Sequence, residues 1–384
     1  MKKGWQTKSF EDCIESIKHT RKIQRKDFLD DGQFPVVSQE AEFINGYWDD
    51  EADIFKVSTP VVIFGDHTQV LKYVDFDFVL GADGVRILQP RDFLSPKFFF
   101  YQLQAANLTS LGYARHYRLL KELELKYPPL AEQHRIVGIL DKAFESIATA
   151  KANTEKNLQN TRALFESHLQ SVFARRDKSW VGESIGSICE IKHGYAFDGA
   201  DFSNKVSEGK PRVITPGNFT EDGKLLFNEK NTKRFKGNLP AGFRFNVGDL
   251  VIVMTDLSSK MKILGKPAFI ETDDVLHNQR IGRVVFLNGR IEKRFLYYFM
   301  MSEGFLNNIK RSATGTMVKH TAPKRILSNI ITYPRDRKVQ QTIIRKLDDI
   351  RDKTQHLKSI YQQKLTALEA LKKSLLHQAF EGEL

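Results

Sequence analysis

The longest hydrophobic pattern in the chain has the spacing of an α-helix. Between Ala131 and Arg175 there is no proline, the only glycine is Gly138, and apolar residues recur on one face. These apolar positions are Ile136, Leu140, Phe144, Ile147, Leu158, Phe165, Leu169 and Val172. Prolines just before the segment and Glu132 in its first turn are typical of a helix start. A helix of this length spans about 65 Å at 1.5 Å per residue, so the pattern predicts a strut or a coiled-coil arm.

A second segment near the end of the chain repeats this one without a gap. Moving residues 132–174 by 207 positions onto residues 339–381 gives 11 identities in 43 pairs, whereas chance gives about two or three. The identical pairs include Gln133 with Gln340. The seam of the second helix is formed by Leu347, Ile350, Leu357, Tyr361, Leu365, Leu368, Leu371 and Leu375. We therefore predict a chain that is built twice, with each globular domain followed by a long helix.

Shorter patterns outside the long helices are typical of strands and short helices. Residues 57–65 favour a buried strand that runs into a turn, and residues 74–80 alternate acidic with apolar side chains. Residues 248–255 resemble the first of these segments, and residues 292–309 favour a helix. We predict an α+β fold with a pseudo-two-fold internal repeat, in which two similar domains are separated by two long antiparallel helices that form a coiled-coil spacer. The predicted boundaries are residues 1–128 for the first domain, 129–177 for the central helix, 178–334 for the second domain and 335–384 for the last helix.

The charge balance suggests what such a duplicated protein binds. The chain of 384 residues has a formal net charge of +12. A balance this basic points most often to nucleic acid, and the alternative is a basic soluble protein without such a partner. No run approaches 18 apolar residues, no signal peptide is visible, and Cys13 and Cys189 lie far apart. We therefore expect a cytoplasmic protein that does not span a membrane.

Familiar catalytic motifs are absent from the sequence. There is no GxxxxGK[ST] phosphate-binding loop, no HExxH zinc motif, no GxSxG nucleophile motif and no cysteine–histidine cluster with metal spacing. We therefore predict that the chain itself catalyses no reaction and holds neither a metal nor a cofactor.

Polar and basic residues in loops beside the predicted strands are the candidates for DNA contacts. Base edges are read by hydrogen bonds, whereas lysine and arginine on phosphates position the protein. In the first domain the candidates are Arg25, Gln39, His67, Lys72, Arg86, Arg115, His116, Tyr117 and Arg118. In the second domain they are His193, Tyr195, Asn218, Thr255, Lys260, Lys262, Gln279, Arg280, Thr316, Lys319 and His320. Each one alone is more often a solvated surface residue, but such groups recur at corresponding places in both halves.

Several segments together resemble one known family over essentially the whole chain. PPLAEQHRIV at residues 128–137 is similar to the start of the family's central helix, and LKKSLLHQAFEGEL at residues 371–384 is similar to its C-terminal end. Looser matches within the second domain are GYAF at 194–197, GDLV at 248–251, NQRIG at 278–282 and TGT at 314–316. The family is that of the specificity subunits of type I restriction–modification systems. The start of the second long helix departs from the family's pattern.

This resemblance implies a division of labour. Each target recognition domain reads one half of a bipartite, asymmetric site in double-stranded DNA, and the helices set the gap between the halves. The helices also bind two adenine-N6 methyltransferase subunits, which hold S-adenosylmethionine. Two restriction/translocase subunits that use ATP and Mg join through them. With two heads on one face of the duplex about one turn apart, we expect half-sites of about three to five base pairs.

Two other hypotheses remain open from the residues alone. The chain could be a nucleic-acid enzyme with an unrecognised site, which predicts that the purified chain methylates or cleaves DNA. It could also be an architectural coiled-coil adaptor, which predicts uniform affinity for unrelated duplexes.

Overall fold

The computed structural model describes residues 4–18, 20–112, 114–174, 179–203, 210–237 and 241–384. They divide into two compact units, one of residues 1–156 with 361–384 and one of residues 157–360. We call the described part of residues 4–129 the first head and that of residues 179–336 the second head. The remaining chain forms two long helices, and each unit contains one head with a part of both.

The first head is built from short strands and helices. Its strands are β1 (Gln6–Ser9), β2 (Lys22–Ile23), β3 (Phe34–Val37), β4 (Gly46–Trp48), β5 (Ile54–Phe55), β6 (Val61–Gly65), β7 (Leu71–Val74), β8 (Phe78–Gly81), β9 (Val85–Leu88) and β10 (Glu124–Tyr127). Its helices are α1 (Phe10–Cys13), α2 (Pro96–Ala105) and α3 (Tyr117–Lys121), and α4 (Leu130–Ala174) follows as the first long helix. One sheet has the order β2-β8-β3-β4, with β5 on β8, and another has the order β7-β6-β9.

The core of the first unit includes both long helices. Every residue of β6 is buried, as its uninterrupted apolar run predicts. Leu140 of α4 and Phe380 near the chain end belong to the same apolar cluster as Phe98 of α2. The rings of Phe98 and Phe380 meet edge to face with centroids 5.0 Å apart. The start of α4 and the end of α8 are therefore buried against the first head, whereas Leu371 of the predicted seam is 47% exposed.

The second head has more strands and a different sheet order. Its strands are β11 (Trp180–Ser184), β12 (Cys189–His193), β13 (Phe202–Ser203), β14 (Arg212–Val213), β15 (Lys233–Phe235), β16 (Leu250–Val253), β17 (Thr255–Asp256), β18 (Pro267–Phe269), β19 (Val275–Leu276), β20 (Ile281–Phe286), β21 (Lys319–His320) and β22 (Ile330–Pro334). Its helices are α5 (Lys293–Met301), α6 (Glu303–Arg311) and α7 (Pro323–Leu327), followed by the second long helix, α8 (Arg337–Glu381). The sheets have the orders β12-β20-β16-β18 and β13-β15-β14-β19, and β17 pairs with β21.

In both heads the first strand pairs with the last strand. In the first head β1 pairs antiparallel with β10, and Gln6 lies opposite Tyr127. In the second head β11 pairs antiparallel with β22, and Trp180 lies opposite Pro334. The first and last strands of each head thus lie side by side where the long helix begins.

The predicted α+β class and both long helices are confirmed. Predicted residues 175–177 of the central helix lie outside the described residues. The single helix predicted over residues 292–309 is wrong, because α5 and α6 are separated by Ser302, whose ψ of 146° is not helical. The Ser302 hydroxyl donates to the Phe299 carbonyl at 2.6 Å, a side-chain bond that competes with helix continuation. Among the described residues, no helix is long and apolar enough to cross a membrane.

Candidate nucleic-acid interface

A buried aspartate joins two loops of the first head. Asp66, which follows β6, is 1% exposed, and its Oδ1 accepts from the backbone N–H of Tyr117 at 2.7 Å. His116 is also 1% exposed, donates from Nδ1 to the Asp66 carbonyl at 2.9 Å and accepts on Nε2 from the Leu111 N–H at 2.9 Å. These bonds fix the neutral Nδ1–H tautomer of His116. We call residues 66–69, 110–112 and 114–117 the first loop junction.

Polar groups, most of them half-buried, surround the first loop junction. The Oε1 atom of Gln39 accepts from the His67 N–H at 3.3 Å, and the Gln39 carbonyl accepts from the Thr68 hydroxyl at 2.6 Å. The Arg86 guanidinium lies over the Tyr117 ring at 4.8 Å from its centroid. The junction therefore brings together side chains that come from four separate parts of the sequence.

A lysine outside the predicted set adds positive charge beside this junction. Lys22 donates from Nζ to the Val85 carbonyl at 2.9 Å. Burial lowers the pKa of Lys22 and the Arg86 and Arg115 cations lower it further, whereas Asp83 and Asp66 act in the opposite direction. Lys22, Arg86 and Arg115 thus lie near one another, and a group of cations at a surface favours an anion such as a phosphate. Lys22 lies in a segment rich in basic residues, residues 21–26, and the pairing of β2 with β8 places it beside the junction.

The second head has a loop junction of the same kind. Strand β17 pairs with β21, so that Thr255 lies opposite His320, and the Thr255 hydroxyl lies 3.0 Å from His320 Nδ1. Asp256 is 3% exposed and accepts from the N–H groups of Ser258 at 2.8 Å and Ile263 at 3.0 Å, which shapes the intervening loop. We call residues 254–263, 278–280 and 314–321 the second loop junction.

Backbone hydrogen bonds connect the loops of the second junction to one another. The Gln279 N–H donates to the Tyr195 carbonyl at 3.0 Å, and the Met254 N–H donates to the Arg280 carbonyl at 2.9 Å. The Thr321 N–H donates to the Met254 carbonyl at 2.9 Å. Segments that are distant in sequence therefore share one edge of the second head.

The exposed side chains of this edge suit contact with DNA. The predicted residues that are exposed there are Tyr195, Lys260, Lys262, Gln279, Arg280, Thr316 and His320. Two apolar side chains of the same loops are also exposed, Leu257 at 61% and Met317 at 79%. An apolar group beside lysines and amides can meet a thymine methyl group while the polar groups bond base edges.

Four predicted contacts are buried and hydrogen-bonded within the head. Lys72 is 3% exposed, His116 1%, Asn218 0% and Thr255 5%. Lys72 donates to the Glu42 carbonyl at 2.5 Å, and Asn218 accepts from the Thr215 N–H at 2.8 Å. Because these side chains hold loops in place, we correct their assignment from direct DNA contact to a structural role.

Of the remaining predicted residues, Arg115 and Lys319 lie within the loop junctions and Arg25, Arg118 and His193 lie outside them. Arg25 is exposed and pairs with Glu40 at 3.0 Å, and Lys319 is half-buried and donates to the Gly315 carbonyl at 2.7 Å. Arg115, Arg118 and His193 are exposed. Among the described residues, no group of three or more histidine, cysteine, aspartate or glutamate side chains is arranged to hold a metal ion.

Comparison with known proteins gives a consistent result across the chain. The family model of the type I restriction modification DNA specificity domain matches residues 2–160 and 177–367. The chain is 23% identical over 228 residues to the Type I restriction enzyme EcoBI specificity subunit of Escherichia coli, covering 58% of this chain and 43% of the relative. It is 23% identical over 261 residues to the MjaVIII specificity subunit of Methanocaldococcus jannaschii, covering 62% and 59%. The chain thus spans about half the length of these two relatives.

A third relative and two solved structures match over greater lengths. The EcoR124I/EcoR124II specificity subunit of Escherichia coli is 25% identical over 347 residues, covering 85% of this chain and 81% of the relative. A chain solved for the complex assembly and conformational transition of the type I R-M system has a TM-score of 0.72 at 17% identity, covering 100% and 99%. The HsdS subunit from Thermoanaerobacter tengcongensis has a TM-score of 0.54 at 15% identity, covering 100% and 98%. At these identities the structures show a shared fold.

Proposed function

We propose, from the premise that this chain belongs to the type I restriction–modification DNA specificity family, that its two heads read the two halves of one bipartite, asymmetric DNA target. The observation that supports this most is the recurrence of a loop junction in both heads. In each, a loop after a buried central strand is bonded to the loop before a short helix, and exposed cations lie beside it. Each junction can bond phosphates and base edges.

We assign the long helices two tasks in this proposal. They set the number of base pairs between the half-sites, as an antiparallel coiled-coil spacer, and they bind two methyltransferase subunits. The repeat supports the second task, since some of its identical residues are exposed. Leu164 is 57% exposed and its counterpart Leu371 is 47% exposed. Packing of a core does not require the same residue at exposed positions of both repeats, whereas binding of two copies of one partner does.

The chemistry in this proposal belongs to the partner chains. The methyltransferase subunits hold S-adenosylmethionine and methylate adenine N6, and restriction/translocase subunits that use ATP and Mg join through them. The chain itself supplies recognition and no catalytic group.

Single-molecule methylation sequencing tests the proposal directly. The chain is expressed with its methyltransferase subunit in a host that lacks both, and parallel cultures lack only this chain. We expect adenine methylation at one motif made of two short half-sites around a gap of fixed length, and only when this chain is present. A contiguous motif, or an unchanged methylome, contradicts the proposal. So does a purified chain that methylates or cleaves DNA alone, or one that binds unrelated duplexes with uniform affinity.

A further inference from the structure

A fully buried glutamine fastens the first head to its long helix. Gln133, in the first turn of α4, is 0% exposed. Its Oε1 accepts from the Ser95 N–H at 2.7 Å, and its Nε2 donates to the carbonyls of Phe93 at 2.9 Å and Pro128 at 2.8 Å. These partners lie just before α2 and just after β10. One side chain therefore ties together the long helix, the closing strand and an internal helix of the head.

The second head is attached to its long helix by the same hydrogen bonds, made by the glutamine at the corresponding position of the repeat. Gln340, in α8, is also 0% exposed. Its Oε1 accepts from the Glu292 N–H at 2.8 Å, and its Nε2 donates to the carbonyls of Arg290 at 2.9 Å and Pro334 at 2.8 Å. The three bonds match those of Gln133 in type, direction and length.

A second point of attachment lies about two helical turns further along each long helix. In the first head Asp141 accepts from the Tyr101 hydroxyl and lies 3.2 Å from the Lys97 ammonium. Burial raises the pKa of Tyr101, and the hydrogen bond to Asp141 raises it further, so the hydroxyl keeps its proton and donates.

This second attachment is repeated as well. Asp348 accepts from the Tyr298 hydroxyl and, at 2.7 Å, from Nε of Arg294. In both heads the tyrosine lies four residues after the cation, on the helix that begins beside the buried glutamine. Each head is thus held at two points, which fixes an angle as well as a position.

The same polar attachment occurs in both heads, and the packing of a hydrophobic core alone does not require it. The two heads differ in length, strand number and sheet order, yet the polar groups that bind the helix are the same. An apolar side chain could fill the space of a glutamine. Three directional bonds made at once are satisfied in one orientation only, and buried polar networks of this kind specify a unique arrangement.

We propose that Gln133 and Gln340, with Asp141 and Asp348, are positioning residues that hold each reading head at one angle on its long helix and so determine the allowed gap between the half-sites. The inference rests on the proposed function. A tilt of about 7° moves loops at the far side of a domain of about 30 Å by about one base-pair step of 3.4 Å. If the angle of a head on its helix becomes slightly less fixed, the protein should therefore accept half-sites whose gap differs from the native gap by one base pair.

The test pairs Gln133→Met with Gln340→Met in the full chain, assembled with the methyltransferase subunits. Methionine keeps the length and the apolar volume of the side chain but removes all three hydrogen bonds. The substrates are duplexes with both native half-sites and gaps changed by one or two base pairs, mixed with duplexes altered within a half-site. We expect the preference for the native gap over its neighbours to fall about tenfold, which corresponds to about 1.4 kcal/mol, while base preference within each half-site is unchanged.

The control applies the same substitution to exposed glutamines of the same helices, Gln159→Met with Gln363→Met, and should keep the wild-type gap preference. If the buried variants fail to fold, Tyr101→Phe with Tyr298→Phe removes only two hydroxyls and should relax the gap in the same direction. Folded variants that melt at lower temperature but keep the wild-type gap preference overturn the positioning role. If the wild-type complex methylates no gapped target, the proposed function itself fails.

Discussion

Lys72 shows how burial changes the meaning of a charged residue. Its Nζ donates to the Glu42 carbonyl at 2.5 Å and to Asn45 Oδ1 at 2.9 Å, and it is 3% exposed. Burial lowers the pKa of Lys72 to about 8. The side chain thus holds the segment after β3 against β7 and is not available to a phosphate.

Exchanging this lysine should alter stability and leave the salt response of DNA binding intact. Lys72→Met leaves buried acceptors unpaired, so we expect the first head to lose about 2 kcal/mol of unfolding free energy. Lys260 is exposed, and in a phosphate contact its replacement by alanine should leave the unfolding free energy intact. The variant Lys260→Ala should instead reduce the slope of log affinity against log salt by about 0.9. Thermal melts and DNA-binding titrations at several salt concentrations measure both quantities. A shallower salt slope for the Lys72 variant contradicts its structural role.

His277 makes the second head sensitive to acid. It is 2% exposed, donates from Nε2 to the Ile281 carbonyl at 2.8 Å, and lies against Phe245 with ring centroids 4.6 Å apart. Burial lowers its pKa from 6.5 to about 4. Between these values the unfolded chain binds the proton and the folded chain does not, so unfolding free energy falls as pH decreases from 6.5 to 4.

The size of this effect is up to about 3 kcal/mol, since each pKa unit corresponds to about 1.4 kcal/mol. His277→Gln keeps a donor for the Ile281 carbonyl but has no group that titrates in this range. Denaturant unfolding at pH 7 and pH 4.5 should show a smaller loss in the variant than in the wild type. Equal losses in both proteins would show that other groups cause the acid sensitivity.

Sequence reasoning located the polar loops but not the burial of single side chains. For Lys72 a signal was present, because the alternation in β7 places it on the same face as the buried Val74. For Asn218 no such signal existed. Its buried position depends on a turn in which it bonds Thr215 and on the Asn231 carbonyl thirteen residues later.

At the scale of elements, the long helices were predictable and many short strands were not. Periodic apolar residues over dozens of positions leave little ambiguity for α4 and α8. Strands such as β2, β14 and β19 have two residues each, and their pairing partners rather than their own sequences define them. The buried glutamines appeared in the sequence as an identical pair, but their hydrogen bonds required the fold.

The helix seams should be the most sensitive points of these elements. Leu140 and Leu347 are each 0% exposed, so replacing either by alanine should cost about 2–5 kcal/mol in unfolding free energy. Leu164→Ala, at a position 57% exposed, is the matched control and should change it by less than about 0.5 kcal/mol. Denaturant titrations followed by circular dichroism measure the differences. A comparable loss at all three positions would contradict the assigned seam.

For the whole molecule, the 207-residue offset was the strongest sequence signal, because a gap-free repeat needs no structural knowledge to be detected. The DNA bases in the proposed half-sites were beyond prediction, since recognition would depend on where side chains such as Gln279 and Arg280 lie relative to base edges. The repeat therefore predicts a target with two halves, and experiment has to identify the DNA sequence of each half.

Lengthening both helices should change the gap and not the half-sites. Seven residues inserted near position 153 and near position 360 preserve the helical phase of the seam and add about 10.5 Å, close to three base-pair steps. Methylation sequencing should then report the same half-sites around a longer gap. An insertion of the same length in an exposed loop of one head is the control. An unchanged gap in the helix variant would mean that the helices do not set it.

The pairing of the first and last strands of each head has an evolutionary consequence. The chain enters and leaves a head at adjacent strands, β1 beside β10 and β11 beside β22, although residues 6–127 and 180–334 differ in length. A segment between the paired strands can be replaced while the junction with the long helix is kept, provided that the new segment retains the groups that bond the helix, such as the Ser95 N–H and the Tyr101 hydroxyl. Two recombination events, one in the codons of each paired strand, are therefore enough to exchange a head, and under the proposed function such an exchange would create a new specificity in one step.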